Sequence, residues 1–93
     1  MIEIVENKKQ ILPKWFKGEI YDKGNVVENP YTGQTFYLNN VELSMYDFIK
    51  GSEIVLESFN FTGSQFDKTS NEMSKGLSWF RTYNSQAYIK LLD

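Results

Sequence analysis

The sequence predicts a small α+β domain, with a short antiparallel sheet in its first half and three helices in its second. Three observations carry that expectation. Runs rich in Val, Tyr, Phe and Thr lie between Gly18 and Leu38, broken by glycine- and proline-containing stretches. Asn39 is followed three residues later by Glu42, the spacing of a capping box, and apolar residues then recur in steps of three and four. The same spacing returns at Thr69 and Glu72, ahead of a second periodic stretch. A chain of 93 residues, 41% hydrophobic and 16% aromatic, is long enough for one core and too short for two.

The elements follow in order. Residues 1–17 read as a basic aromatic leader and residues 18–93 as the single domain. Within the leader, "IEIV" has the composition of a short strand. "KKQILPKWF" is expected to be extended, because Pro13 disfavours the helical region for Leu12. "GEIYD" is a first strand, Lys23-Gly24-Asn25 a turn with Gly24 at positive φ, and "NVVE" a second strand. Asn29-Pro30-Tyr31-Thr32-Gly33 is a hairpin loop. Asparagine caps such a turn with its own side chain, proline presets φ, and glycine takes the left-handed closing position. A single terminal glycine does not make a phosphate cradle. "QTFYL" then completes a β-meander over about 18–38.

The first helix is expected over about 41–58, with Val41, Met45, Phe48, Ile49, Val55, Leu56 and Phe59 on its apolar stripe. Gly51 and Ser52 are expected where a neighbour comes close. "NFTGSQFDK" reads as a loop. The second helix spans about 70–83, with Met73, Gly76, Leu77 and Phe80 inward and Trp79 and Tyr83 on its flank. Asn84 ends it and caps a third helix over about 85–92, whose inward face is Ala87, Tyr88, Leu91 and Leu92. All three helices are expected on one face of the sheet.

The composition argues against several chemistries. Without cysteine there is no disulfide or thiolate metal site, and without histidine the commonest general base and metal ligand are missing. No G-x-S-x-G motif is present, and Ser44, Ser52, Ser74 and Ser78 have no histidine to activate them. Asp47, Glu53 and Glu57 read as the solvated outer face of a helix. Asp22-Lys23-Gly24-Asn25 lacks the alternating acids and distal glutamate of a calcium loop. The expectation is therefore no enzyme, no cofactor and no metal. No segment approaches the ~18 apolar residues of a membrane span, and the N-terminus lacks the apolar core of a signal peptide. A cytoplasmic protein is expected.

Charge is unevenly placed. Lys8, Lys9, Lys14 and Lys17 outweigh Glu3 and Glu6 in the leader, whereas residues 18–57 carry seven acids against Lys23 and Lys50. The aromatics Tyr21, Tyr31, Phe36 and Tyr37 thus stand in the acidic part of the chain, which argues against a phosphate-binding face. Two groups are candidates for contact with a protein partner. One is the leader, Lys8, Lys9, Lys14, Trp15, Phe16 and Lys17. It either lies along its own domain, with Trp15 and Phe16 covering the sheet, or docks on an acidic partner. The other is Trp79, Arg81 and Tyr83, residue types enriched at binding hot spots.

Several stretches, "NPYTGQTFYLNNVELSMYDFIKG" and "KGLSWFRTYNSQAYIKLLD" among them, resemble small proteins encoded by contractile-tailed phages of marine cyanobacteria and related marine bacteria. The likeness runs from about Gly18 to Asp93. Its recurring pieces are the Asn-Pro-aromatic-Thr/Ser-Gly turn, "MYDFIKG", "GLSWFR" and "AYIKLLD". Relatives often place proline where Ser85 stands, and both residues suit a first helical turn. The resemblance implies the cytoplasm of an infected cell, or the virion, and carries no site residues. The expected function is a phage-encoded, non-enzymatic interaction module binding a host or phage protein. A virion or assembly component is the alternative, and a single-stranded nucleic-acid binder or an enzyme comes after it. Homo-oligomerisation is left open.

Overall fold

The structure, a computed structural model, describes residues 10–58 and 63–92. The fold is α+β. Strands β1 (Asn25–Glu28) and β2 (Thr35–Leu38) form an antiparallel hairpin, followed by α1 (Asn40–Glu57), α2 (Ser64–Tyr83), the short α3 (Ser85–Ala87) and a π-helical turn (Tyr88–Leu92). The expected strand "IEIV" lies outside the described residues.

The hairpin pairs Asn25 with Leu38, Val26 with Tyr37, Val27 with Phe36 and Glu28 with Thr35. Alternation puts Val27, Phe36 and Leu38 toward the core and Val26 and Tyr37 toward solvent. The NPYTG loop is a structural turn. Asn29 Oδ1 accepts from the Tyr31 N–H at 2.8 Å, the Gly33 N–H donates to the Asn29 carbonyl at 2.8 Å, and Gly33 takes φ 78°. Asn29 does more than cap: it is buried, and its Nδ2 donates to the Lys90 carbonyl at 2.9 Å, tying the hairpin to the last turn.

The meander expected over 18–38 is a two-stranded hairpin instead. "GEIYD" joins no sheet, and side chains of α1 take both backbone groups of its Tyr21. The Tyr21 N–H donates to Ser44 Oγ at 2.9 Å, and Asn40 Nδ2 donates to the Tyr21 carbonyl at 3.4 Å. Ser44 Oγ in turn donates to the Asn40 carbonyl at 2.8 Å, which accounts for a fully buried serine. Gly24 is not at positive φ. A side chain there would run into the Leu38 carbonyl and the Tyr37 hydroxyl, so glycine serves close backbone approach.

Helix α1 begins with the expected capping box: the Asn39 side chain accepts from the Glu42 N–H at 2.8 Å, and the Glu42 carboxylate accepts from the Asn39 N–H at 3.0 Å. Its buried line is Glu42, Met45, Ile49 and Ser52, with Val55 emerging at 41% exposure. Helix α2 starts at Ser64, six residues before the expected position. The Thr69–Glu72 spacing lies inside the helix; Gly63, at φ 97°, breaks the chain, and Asp67 supplies the favourable first-turn charge. Asn84 separates α2 from α3 as expected, its Oδ1 accepting from the Ala87 N–H at 3.1 Å. The third helix is a single α turn widened into a π turn over 88–92.

The core is Leu38, Met45, Ile49, Trp79, Phe80, Ala87 and Leu91, joining β2, both long helices and the C-terminal turns. Fully burying a side chain such as Phe80 or Leu38 contributes about 1.5–3 kcal/mol. Helices α1 and α2 are antiparallel, since Glu42 meets Asn84 at one end while Ile49 meets Gly76 near the middle. A Cβ at Gly76 would lie 3.1 Å from Ile49 Cγ1 and 3.2 Å from Met45 Sδ, so Gly76 sets the helix separation. Ser52 shares this buried line and returns its hydroxyl to the Phe48 carbonyl at 2.9 Å. Gly51 does not: it is exposed, and a Cβ there would meet nothing within 4 Å.

Candidate functional site

Polar chemistry gathers first around Glu42. Glu42 is 6% exposed, and its carboxylate accepts from Gln10 Nε2 at 2.8 Å and Asn84 Nδ2 at 3.0 Å on Oε2, and from the Asn39 N–H on Oε1. Asn39 Nδ2 closes the ring by donating to Gln10 Oε1 at 2.8 Å. These partners are neutral amides. They satisfy the charge by hydrogen bonding, and the first turn of α1 adds its dipole. With both oxygens engaged, the carboxylate knits the leader, the end of β2, α1 and the α2–α3 junction. Glu42 was legible as a helix cap but not as this hub, because Gln10 and Asn84 approach only through tertiary packing.

Of the expected contact residues, the aromatic ones and Arg81 are engaged within the fold. Trp79, placed by helical phase on a flank, is buried at 8% exposure, and its Nε1–H donates to the Ile11 carbonyl at 3.0 Å. The phase argument assumed one neighbour for α2. The leader supplies a second, so the buried stripe widens to take both Trp79 and Phe80. Tyr83 packs on Trp79 with ring centroids 4.8 Å apart, and the Arg81 guanidinium lies 5.6 Å from the centre of the Tyr88 ring. Trp15 and Phe16 rest on Phe48 of α1, at 5.7 and 5.3 Å between centroids. Lys14 and Lys17 are exposed, and Lys8 and Lys9 lie outside the described residues.

The space left open lies further along the same helix pair. Beyond Phe48, α1 presents Asp47, Gly51, Ser52 and Val55 to a groove of about 420 Å³. Gln65, Thr69 and Glu72 of α2 form its other wall. Phe48 and Val55 give apolar surface, and Asp47 and Glu72 give negative charge from opposite sides. Among the described residues, no lysine or arginine lines it. Lys50, next along α1, is committed to Glu53 at 3.2 Å. Asp47 Oδ2 accepts the Tyr21 hydroxyl at 3.1 Å. That hydrogen bond holds the Tyr21 phenol above the ordinary tyrosine range, with desolvation and the charges of Asp47 and Glu19 pushing the same way. The groove was not found from the sequence. Its one signal there was Gly51, which was assigned to an internal helix contact.

Among the described residues, no group of three or more Asp, Glu, His or Cys could hold a metal ion. No described helix is long and apolar enough to cross a membrane. Compared with known proteins, the chain matches no family model, no curated protein and no solved structure.

Proposed function

We propose that this chain is a small non-enzymatic interaction module that binds another protein through the open groove between α1 and α2. The observation that carries the reading is Gly51. A glycine inside a long helix is costly, no neighbour among the described residues requires it, and it stands on the wall of a groove those residues leave open. Glycine there keeps room for something outside the chain. The resemblance to phage-encoded proteins makes a host or phage protein in an infected cell the proposed partner. The hairpin supports nucleic acid less well, because Tyr31 and Tyr37 are exposed beside Glu28 and no lysine or arginine cluster accompanies them.

The test is affinity capture from infected-cell lysate with the natural chain and with Gly51→Leu. A stoichiometric protein retained by the first and lost with the second is the expected result. Capsid or tail proteins in that role would favour the structural alternative. Equal capture by both chains would remove the groove from the function.

A further inference from the structure

Resting on the groove as a docking site, we propose that its occupant is a cationic peptide segment. A bulky apolar side chain sits over Gly51 between Phe48 and Val55, and flanking lysine or arginine residues face Asp47 and Glu72. Three features on the groove's walls converge on that chemistry.

The first is shape. The groove, about 420 Å³, falls in the range of roughly 300–1,000 Å³ typical of pockets that take organic side chains and small ligands. At Gly51 the α1 wall has no side chain, and a Cβ there would touch nothing. The apolar surfaces of Phe48 and Val55 lie one turn to either side of Gly51 along α1. A single large apolar side chain entering over Gly51 meets both.

The second is charge. Both charged residues on the walls are acidic, one from each helix. Lys50, a neighbouring base on α1, is paired with Glu53. An acidic segment or a phosphate backbone would be repelled. A purely apolar one would strip water from Asp47 and Glu72 without replacing it. A cationic segment satisfies both carboxylates and gains encounter rate from the field.

The third is rigidity. The Tyr21 hydroxyl fixes the Asp47 carboxylate, and the Ser52 hydroxyl is already bonded to the Phe48 carbonyl. The polar groups of the α1 wall are therefore positioned before binding, which lowers the ordering cost of docking.

The probe is a set of equal-length synthetic peptides titrated into the full chain while its backbone amide resonances are followed. One peptide carries a central tryptophan flanked by lysines, one has those lysines replaced by glutamates, and one has the tryptophan replaced by glycine. The lysine–tryptophan peptide should shift the amides of Gly51, Val55, Thr69 and Glu72. Its affinity should fall about fivefold or more between about 0.05 and 0.5 M salt, as screening shortens. Gly51→Leu puts a side chain on the groove wall where a Cβ meets no described atom within 4 Å, and should abolish those shifts, while its melting temperature does not fall. Glu72→Lys, an independent variant, should weaken the lysine peptide and favour the glutamate one.

If the glutamate peptide binds the same amides as tightly, and Gly51→Leu still abolishes it, the groove docks peptides but the cationic assignment is wrong. If no peptide moves those amides, or Gly51→Leu leaves the shifts intact, the docking site itself fails. Shifts at the same amides on simple dilution would make a second copy of the chain the occupant. Shifts caused by Lys8→Glu with Lys9→Glu would make it the chain's own leader. Either result overturns the proposal.

Discussion

From one end of the α1–α2 pair to its middle, a buried carboxylate ties four segments together and Gly76 presses its helix against Ile49 and Met45. Toward the other end, a Cβ at Gly51 would meet no described atom within 4 Å, and residues of both helices line a groove. The two glycines have the same residue type and nearly opposite roles. Gly76 is small because the fold fills the space beside it. Gly51 is small although the fold leaves that space empty. A small residue on a helix therefore does not by itself signal close packing. What stands opposite it decides, and only the tertiary structure supplies that.

The contrast can be broken at the closed end first. Gly76→Leu would drive a branched side chain into Ile49 and Met45, where even a Cβ is tight, and should cost about 3 kcal/mol, the upper part of the usual overpacking range. An unchanged melting temperature would show that the helices are not locked there. Glu42→Gln comes next. Any orientation of the amide points an NH₂ group at donors, from Gln10 and Asn84 or from the Asn39 N–H, so about 1–3 kcal/mol should be lost. Retained stability in chemical denaturation would mean the knot rearranges freely.

At the open end the sign reverses. Gly51→Ala should raise stability by about 0.5–1 kcal/mol, because alanine suits a helix interior and nothing opposes its methyl group. A destabilised Gly51→Ala would mean that the space is not free, and the comparison would collapse.

The smallest effect concerns Tyr21, whose phenol is held above its ordinary value of 10.0, chiefly by the hydrogen bond to Asp47. A raised pKa in the folded state means that the contribution is fully present below the unfolded value. It is lost as pH rises through the folded one. In an alkaline titration, one phenol should ionise late, and Tyr21→Phe should remove that late step. Ionisation of Tyr21 at or below 10.0 would detach it from Asp47.

The parts of the fold legible in the sequence are those governed by local rules. The Asn39–Glu42 box, the NPYTG turn with Gly33 left-handed, and Asn84 as a cap all rest on hydrogen bonds spanning five residues or fewer. The misread parts depend on distant partners. "GEIYD" has a strand's composition, but Ser44 and Asn40 of α1 take its backbone groups. The start of α2 was misplaced because Thr69 and Glu72 imitate a cap inside a helix. Trp79 was put on a flank because the leader's cover over α2 has no periodic signature. The groove was hidden for the same reason, since an absence of packing leaves no pattern in a sequence.

The hydrogen bond from Asn29 to the Lys90 carbonyl has a consequence for the order of folding. It closes a loop of 61 residues, and it joins a two-stranded hairpin, marginal by itself, to a turn synthesised long after it. On the ribosome, β1 and β2 are complete well before their anchor exists. The sheet should therefore stay provisional until residues 88–92 have emerged, and the domain should form late and nearly all at once. Pulse-labelled hydrogen exchange on refolding chains would show this as simultaneous protection of the Val27 and Leu91 amides. Early protection of Val27 alone would mean that the hairpin does not wait.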